Sequence, residues 1–477
     1  MPTHDPEVGD ILRSLSVADG VSRQQPAAIR RRRFLQGSLA LGGAAALGPT
    51  LFADRAEALG ADDRIIVCVY MAGGNDGLNT IAPLDSGRYH DARKTLVIDE
   101  ATSHQIAPNR YLHPMLGGLA SLYRDGHVAI VEGVGFPDDD HSHFSSIKTW
   151  MAANRNHGPA ASGWLGRYAE RARLGELGAV NIGDTGVPLL MVGQNSIATG
   201  LPTDGNLFGA DVSDAWENEL VSVFTDLSRG DTRRSEMASA WAEQLGSAIG
   251  VASRVNPIYA DDQQERNLIR NMGLAANLIN LDVGARVLST SFQTFDTHDD
   301  QAADHAARLK EFDDAVARFY ANLKPKFRNR VVILTFSEFG RRVAANDSRG
   351  TDHGTAGPMM MIGPAVKAGF HGSLPSLKDL DERGDLKHTV DFRDVYATVL
   401  DQWLKADHGD VLDGRFQTLD LFGEPGDPVQ VPQLPETSNG AEVPDNLSRR
   451  GGAPTIRVPA AVEKAAQTVR PKISSGF

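Results

Sequence analysis

The chain has 477 residues, of which 41% are hydrophobic and 23% charged, the composition of a folded globular protein; disorder throughout is excluded. Its formal net charge of −13 excludes binding to a nucleic-acid backbone or an anionic membrane surface by bulk electrostatics, because both need a positive field. Any anionic ligand must therefore meet local positive charge, such as a metal.

Taken in chain order, the first signal is Arg30-Arg31-Arg32-Arg33-Phe34-Leu35-Gln36. It opens onto the weakly apolar stretch Gly37 to Phe52, rich in Gly and Ala, and Ala56-Glu57-Ala58 follows as a small-x-small cleavage site. The pattern predicts a cleaved twin-arginine signal peptide over residues 1–58, with the twin-arginine export machinery as a partner and the periplasm or the cell exterior as the destination. The apolar run is shorter than the roughly 20 residues of a spanning helix and is diluted with glycine, so no stable transmembrane anchor is expected. This route is used for proteins that fold, often around a metal or cofactor, before crossing. Residues 1–58 hold seven Arg and six Asp or Glu, which leaves the mature chain at −14.

Short apolar runs closed by Gly, Asp or Pro then recur at Arg64 to Met71, Val128 to Val134, Val187 to Val192, Ala285 to Phe295, Val331 to Phe336 and Met359 to Ile362. They read as buried strands. The single cysteine, Cys68, lies in the first run and reads as a buried, inert thiol; no intramolecular disulfide can form. After Asp300, Ala302, Ala306, Leu309, Phe312, Val316, Phe319 and Leu323 recur at steps of three and four, and Phe392, Val395, Tyr396, Val399, Leu400, Trp403 and Leu404 do the same. Both are amphipathic helices. Strands alternating with helices predict an α/β fold with a large, mostly parallel sheet between helical layers, whose ligands sit beyond the C-terminal strand ends. This domain is expected over residues 59–425. Residues 426–477, rich in Pro, Gly and polar side chains, read as an extended or disordered tail.

Four stretches carry candidate chemistry. Gly73-Gly74-Asn75-Asp76-Gly77 ends the first strand, and Asp76 there is either a metal ligand or part of an ordinary turn. Asp138-Asp139-Asp140-His141-Ser142-His143 follows the second strand, with Ser142 at a helix N-cap. A serine there either caps the helix or uses the amides and a nearby cation as an activated nucleophile. Phe295-Asp296-Thr297-His298 ends another strand; a carboxylate and an imidazole two residues apart on extended backbone point to one side, so Asp296 and His298 could reach one ion. His305, one turn into the helix, reads as a partly buried surface histidine or as a further polar group of the site. Glu338, in Phe336-Ser337-Glu338-Phe339-Gly340-Arg341, also closes a strand, and Asp352-His353 lies on a glycine-flanked loop before the next. Such strand ends on a parallel sheet converge on one edge, the geometry of a carboxylate and imidazole metal site. Mixed ligands of this kind suit Zn or Mn better than Ca.

The motifs GGNDGLNT, HSHFSS with GWLGRY after it, FDTHDDQ, TFSEFGR, GTDHGTA and TVDFRDVY, in that order behind a twin-arginine signal, resemble the bacterial family known as domain of unknown function 1501 over roughly residues 60 to 405. That family in turn resembles the alkaline phosphatase and sulfatase superfamily, which implies an alkaline-phosphatase-like fold with two metals at the C-terminal sheet edge. By this resemblance Asp76 binds the metal nearer the nucleophile and Ser142 stands where the nucleophile begins a helix. Asp296, His298 and His353 match ligands of the other metal, although the Asp296 to His298 spacing is shorter than the superfamily's. Glu338 departs from the pattern, standing where adjacent Asp and His ligands are usual. The function implied is a metal-dependent hydrolase or transferase acting on phosphate or sulfate esters, small or glycan-linked, in the cell envelope, with Arg341 clamping a non-bridging oxygen. The competing expectation is a non-catalytic envelope protein that keeps the fold and a metal.

Overall fold

The computed structural model describes residues 60, 63–154, 162–205, 246–248, 250–252, 254–259, 267–293 and 295–429. The signal peptide expected over residues 1–58 and nearly all of the expected tail lie outside these residues.

Among the described residues twelve strands form two sheets. In the order of the chain they are β1 (Ile65–Ala72), β2 (Ile81–Ala82), β3 (His104–Ala107), β4 (Arg110–Leu112), β5 (Val128–Gly135), β6 (Ala179–Ile182), β7 (Thr199–Leu201), β8 (Val287–Gln293), β9 (Val331–Phe336), β10 (Gly357–Ile362), β11 (Gly369–Gly372) and β12 (Val390–Asp391). The nine-stranded main sheet runs β11-β5-β10-β9-β1-β8-β6-β7, with β12 added on β5. Every pairing in it is parallel except those of β10, which runs against both β5 and β9. β2, β4 and β3 make a small separate sheet.

The strand sequences explain why the main sheet is covered on both faces. β1 is apolar throughout, and its side chains alternate between two cores. Ile65, Val67, Val69 and Met71 join the helices Gly117–Arg124, Leu268–Asn280 and Gln301–Asn322 on one face. Ile66 and Cys68 join Trp150, Trp164, Tyr396 and Trp403 on the other. Burial pushes the Cys68 thiol pKa up, as expected of an inert sulfur. All seven periodic residues from Phe392 to Leu404 are buried. The helix Phe392–Thr398 continues into a π-helical turn over Val399–Trp403, and the Trp403 indole donates to the Ile65 carbonyl at 3.0 Å.

Two expected features differ. The run Val187 to Val192 is not a strand: Leu189–Met191 forms a single 3₁₀ turn, and Val192 makes only an isolated bridge with Ile197. Pro188 has no N–H to give a ladder, and Leu190 and Met191 are buried in the core beside the helix Trp164–Arg171 instead. The strand of this region is β6, whose sequence Ala-Val-Asn-Ile is too short and too interrupted to stand out. In the helix Gln301–Asn322, Ala302 is exposed, and the first inward positions are Gln301 and His305. That end of the helix faces polar groups, so apolar periodicity starts only at Leu309.

His305 is therefore buried rather than at the surface. Its Nε2 lies 3.2 Å from Asn75 Oδ1, and its ring meets His113 edge-on. Burial lowers the pKa of His305 to about 3 and that of His113 to about 4, so both are neutral in the folded state at neutral pH. Unfolding restores an ordinary value near 6.5. Below that value the unfolded chain binds more protons, and stability is lost as pH falls towards the folded values. Between pH 7 and pH 5 each histidine is expected to cost about 2 kcal/mol. In thermal or urea unfolding over that range His305→Gln should lose about 2 kcal/mol less than the wild type; an unchanged pH slope in the variant would contradict the assignment.

Candidate metal centre

The chemistry gathers where β1, β5, β8 and β9 end. Because β10 runs antiparallel, the loop that precedes it arrives at this same edge, and it carries Asp352 and His353. The C-terminal end of β1 turns through Gly73 and Gly74, at φ of 108° and 79°. Only glycine takes up such angles freely. The turn aims both amides at Glu338 beyond β9: Gly73 N–H donates to Oε1 at 2.9 Å and Gly74 N–H to Oε2 at 3.2 Å.

Three imidazoles and one carboxylate meet at the centre. His353 Nε2 lies 3.0 Å from Asp296 Oδ1, 3.0 Å from His298 Nε2 and 3.1 Å from His143 Nε2. His298 Nε2 is 3.0 Å from Asp296 Oδ1, and His143 Nε2 is 3.6 Å from Asp296 Oδ2. The ligand atoms of His143, Asp296 and His353 all lie within 4.8 Å of one another. Asp296 and His298 thus share one side of an extended segment, as their spacing predicts.

The opposite edge of each ring decides what these nitrogens are. His143 Nδ1 faces Glu338 Oε1 at 2.7 Å, His298 Nδ1 faces Asp352 Oδ1 at 3.2 Å, and His353 Nδ1 faces the His141 carbonyl at 2.9 Å. Each of these oxygens only accepts, so each Nδ1 carries the hydrogen. In the neutral rings all three Nε2 atoms are then bare lone pairs, aimed at one another and at a carboxylate. That is the donor set and the outer support of a divalent-cation site. Without a cation, protons must relieve it. Burial lowers the His143 pKa, but hydrogen bonds to Asp296 and Glu338 outweigh it and raise the group to about 9. His298 is raised chiefly by its bond to Asp296. Asp296 is held far below the usual carboxylate range, because the three imidazoles and Arg341 overcome its burial.

The residues expected at the site divide into three groups. Asp296, His298 and His353 come together. Glu338 and Asp352 stand one layer out, orienting His143 and His298 from behind. Asp76 does not join them: both its oxygens meet the Arg93 guanidinium, Nη2 to Oδ1 at 2.9 Å, and Gln301 adds a bond at 2.5 Å. Asp76 is 1% exposed and the Arg93 side chain 0%, so a fixed guanidinium supplies the cation this carboxylate needs.

Arg341 is also placed otherwise than expected. Its guanidinium is fully buried and donates to the carbonyls of Gly74 at 2.7 Å, Thr351 at 2.8 Å and Phe295 at 2.9 Å, to that of Gly73, and to Asp296 Oδ1 at 2.7 Å. It ties the ends of β1 and β8 to the loop before β10 and has no face left for a ligand oxygen. Ser142 does open the helix His143–Ala152, yet its side chain makes no capping bond. His143 is the ligand-type residue that the sequence reading passed over. Its signal in the sequence is its place in the run His141-Ser142-His143.

Fold and site together define an α/β protein with a parallel-sheet core and a cation-type donor cluster at its C-terminal edge. The chain belongs to the family described as "Protein of unknown function (DUF1501)", whose model matches residues 130–416. No curated protein matches it. Among solved structures, alkaline phosphatase from the Antarctic bacterium TAB5 is similar at 10% identity and a TM-score of 0.32, over 64% of this chain and 92% of that one. The lipoteichoic acid synthase LtaP from Listeria monocytogenes is similar at 8% identity and a TM-score of 0.36, over 80% and 82%. The zinc complex of the C-terminal periplasmic domain of EcEptC from Escherichia coli is similar at 10% identity and a TM-score of 0.30, over 66% and 76%.

Replacing Asp296 with Asn should abolish tight binding of a divalent metal. Glu338→Gln, which leaves the centre itself intact but weakens the hold on His143, should cost about 10- to 100-fold in affinity. Competition against a chelator measures both, and equal affinities for wild type and Asp296→Asn would refute the centre.

Proposed function

We propose that the protein is an exported, metal-dependent hydrolase or transferase acting on phosphate or sulfate esters of the cell envelope. The observation that carries the proposal is the convergence of the His143, His298 and His353 Nε2 atoms on Asp296, with each Nδ1 already committed to an oxygen. A divalent cation bound there, zinc or manganese by its ligands, supplies positive charge that neutralises an anionic ester and the charge that develops on transfer.

Around that cation the chain's own residues divide the work. Asp296 and the three imidazoles hold it, while Glu338, Asp352 and the His141 carbonyl keep the rings in the tautomer that binds it. Ser142, beside His143 at the start of a helix, is the candidate nucleophile. Its hydroxyl has no hydrogen-bond partner among the described residues, and the helix amides favour negative charge at that point. Residues 59–425 form the working domain in this reading, and residues 1–58 the twin-arginine signal that delivers it. Among the described residues no helix is long and apolar enough to cross a membrane.

A second reading, a metal-binding envelope protein without catalysis, draws on Asp76 and Arg341. Both are consumed by internal contacts, which leaves fewer polar groups for a substrate.

Assays against phosphate and sulfate monoesters and diesters separate these readings. Ser142→Ala should reduce turnover on the order of 10³-fold or more with metal content unchanged. Retained activity in the variant would make water the attacking group and Ser142 a helix-end residue only. No turnover by the metal-loaded wild type on any ester of the panel would favour the second reading. Replacing Arg31 and Arg32 with Lys should leave uncleaved precursor in the cytoplasm, as fractionation would show; normal recovery of the mature form outside the inner membrane would contradict the signal.

A further inference from the structure

Of the two metals that the resemblance implies, the one nearer the nucleophile falls to Asp76, and Glu338 stands where further ligands are usual. In this chain every oxygen of both carboxylates is already engaged. The Asp76 oxygens meet Arg93 and Gln301. Glu338 Oε1 takes the Gly73 N–H and faces His143 Nδ1, while Oε2 takes the Gly74 N–H and the Ser337 hydroxyl, the latter at 3.2 Å.

Arg93 is the last residue of the helix Gly87–Arg93. Its guanidinium lies among three oxygens, the two of Asp76 and the Arg342 carbonyl at 3.0 Å. Its Nε is buried with no hydrogen-bond partner among the described residues, so the group acts chiefly as a positive charge set between oxygens, unlike the fully bonded Arg341. The backbone fixes this placement. Tyr89, one turn earlier, donates to Asn79 Oδ1 at 2.9 Å, and the Ala92 carbonyl accepts from Ala345 N–H at 2.9 Å. Lys94, directly after Arg93, is held at a φ of 48°, a conformation that a lysine adopts where its surroundings impose it.

The pair is connected to the centre without sharing a ligand. Gln301 donates to Asp76 through Nε2 and accepts the Thr351 hydroxyl on Oε1; the Thr351 carbonyl takes Arg341, which meets Asp296. One other group of ligand-type residues lies close together among the described residues, Asp401, Asp407 and His408, and it is closed as well. His408 Nδ1 faces Asp401 Oδ2 at 2.7 Å, Nε2 accepts the Phe416 N–H at 3.2 Å, and Asp407 meets Arg415 through both oxygens at 2.6 and 3.0 Å. An imidazole that donates at one nitrogen and accepts at the other has no lone pair left for a metal.

We propose that this sheet edge takes one divalent cation per chain, among His143, Asp296, His298 and His353, and that the Arg93 guanidinium on Asp76 permanently fills the place of the second. The inference rests on the metal centre used under Proposed function, and it departs from the metal count that the resemblance implies. A built-in guanidinium supplies its charge at any metal concentration, so loading of the single ion is non-cooperative and complete at one equivalent.

Native mass spectrometry of the chelator-stripped protein reloaded with zinc, and separately with manganese, reads the ion count. Wild type should hold one ion, Asp76→Asn one and Asp296→Asn none. A second ion in wild type that Asp76→Asn releases would overturn the inference and leave the proposed function standing. No ion in wild type would sink the metal centre and the proposed function, and this inference with them. Arg93→Ala vacates a position lined by three oxygens, the ligand type of a hard cation. It should take up a second manganese ion that the double variant Arg93→Ala/Asp76→Asn does not; a folded Arg93→Ala with one ion only would overturn the claim that the guanidinium fills an ion's place. Should Arg93→Ala not fold, the counts for wild type and Asp76→Asn decide.

Discussion

Lone pairs that face one another repel, and in this protein the His353 Nε2 is held 3.0 to 3.1 Å from the Nε2 atoms of His143 and His298 and from an Asp296 carboxylate oxygen. Something positive must lie among them. Protons can serve, as the raised His143 and His298 pKa values indicate, and a divalent cation serves better because one ion answers all four donors. Protons and metal compete for the same lone pairs, so affinity for the metal is linked to pH. Much of the surrounding architecture can be understood as holding this repulsive arrangement still.

The holding is done in layers. Glu338 orients His143 and is itself oriented by two glycine amides at the end of β1. Asp352 orients His298 and takes a further bond from Asn346. Arg341 binds the ends of β1 and β8 and the loop before β10, and it touches Asp296 directly. Its burial makes it structural: a guanidinium that satisfies several carbonyls at once is a clamp on backbone. The same logic applies to Asp76 and Arg93, a buried, bidentate pair whose charges cancel locally. Each is a polar group that a site reading of the sequence assigns to ligand chemistry and that the folded chain uses internally.

The antiparallel strand β10 is the topological device that completes the centre. In an all-parallel sheet the loop entering a strand lies at the N-terminal edge, far from the ends of β1, β8 and β9. Reversal of β10 brings His353 to those ends, and the register of β10 on β9 fixes its depth.

The sequence alone determined the strands β1, β5, β8, β9 and β10, both long amphipathic helices and the layered α/β class, because unbroken apolar runs and three-four periodicity are local signals of burial. It also determined the pairing of Asp296 with His298, since a two-residue spacing on extended backbone fixes a shared side. Only the tertiary structure decided that His143 joins them while Glu338 and Asp352 stand behind, that Arg93 takes Asp76, and that Arg341 faces backbone. These choices depend on contacts across separations such as the 210 residues between His143 and His353. No local pattern encodes which of two neighbouring polar side chains points inward, because that is settled by what the rest of the chain places opposite.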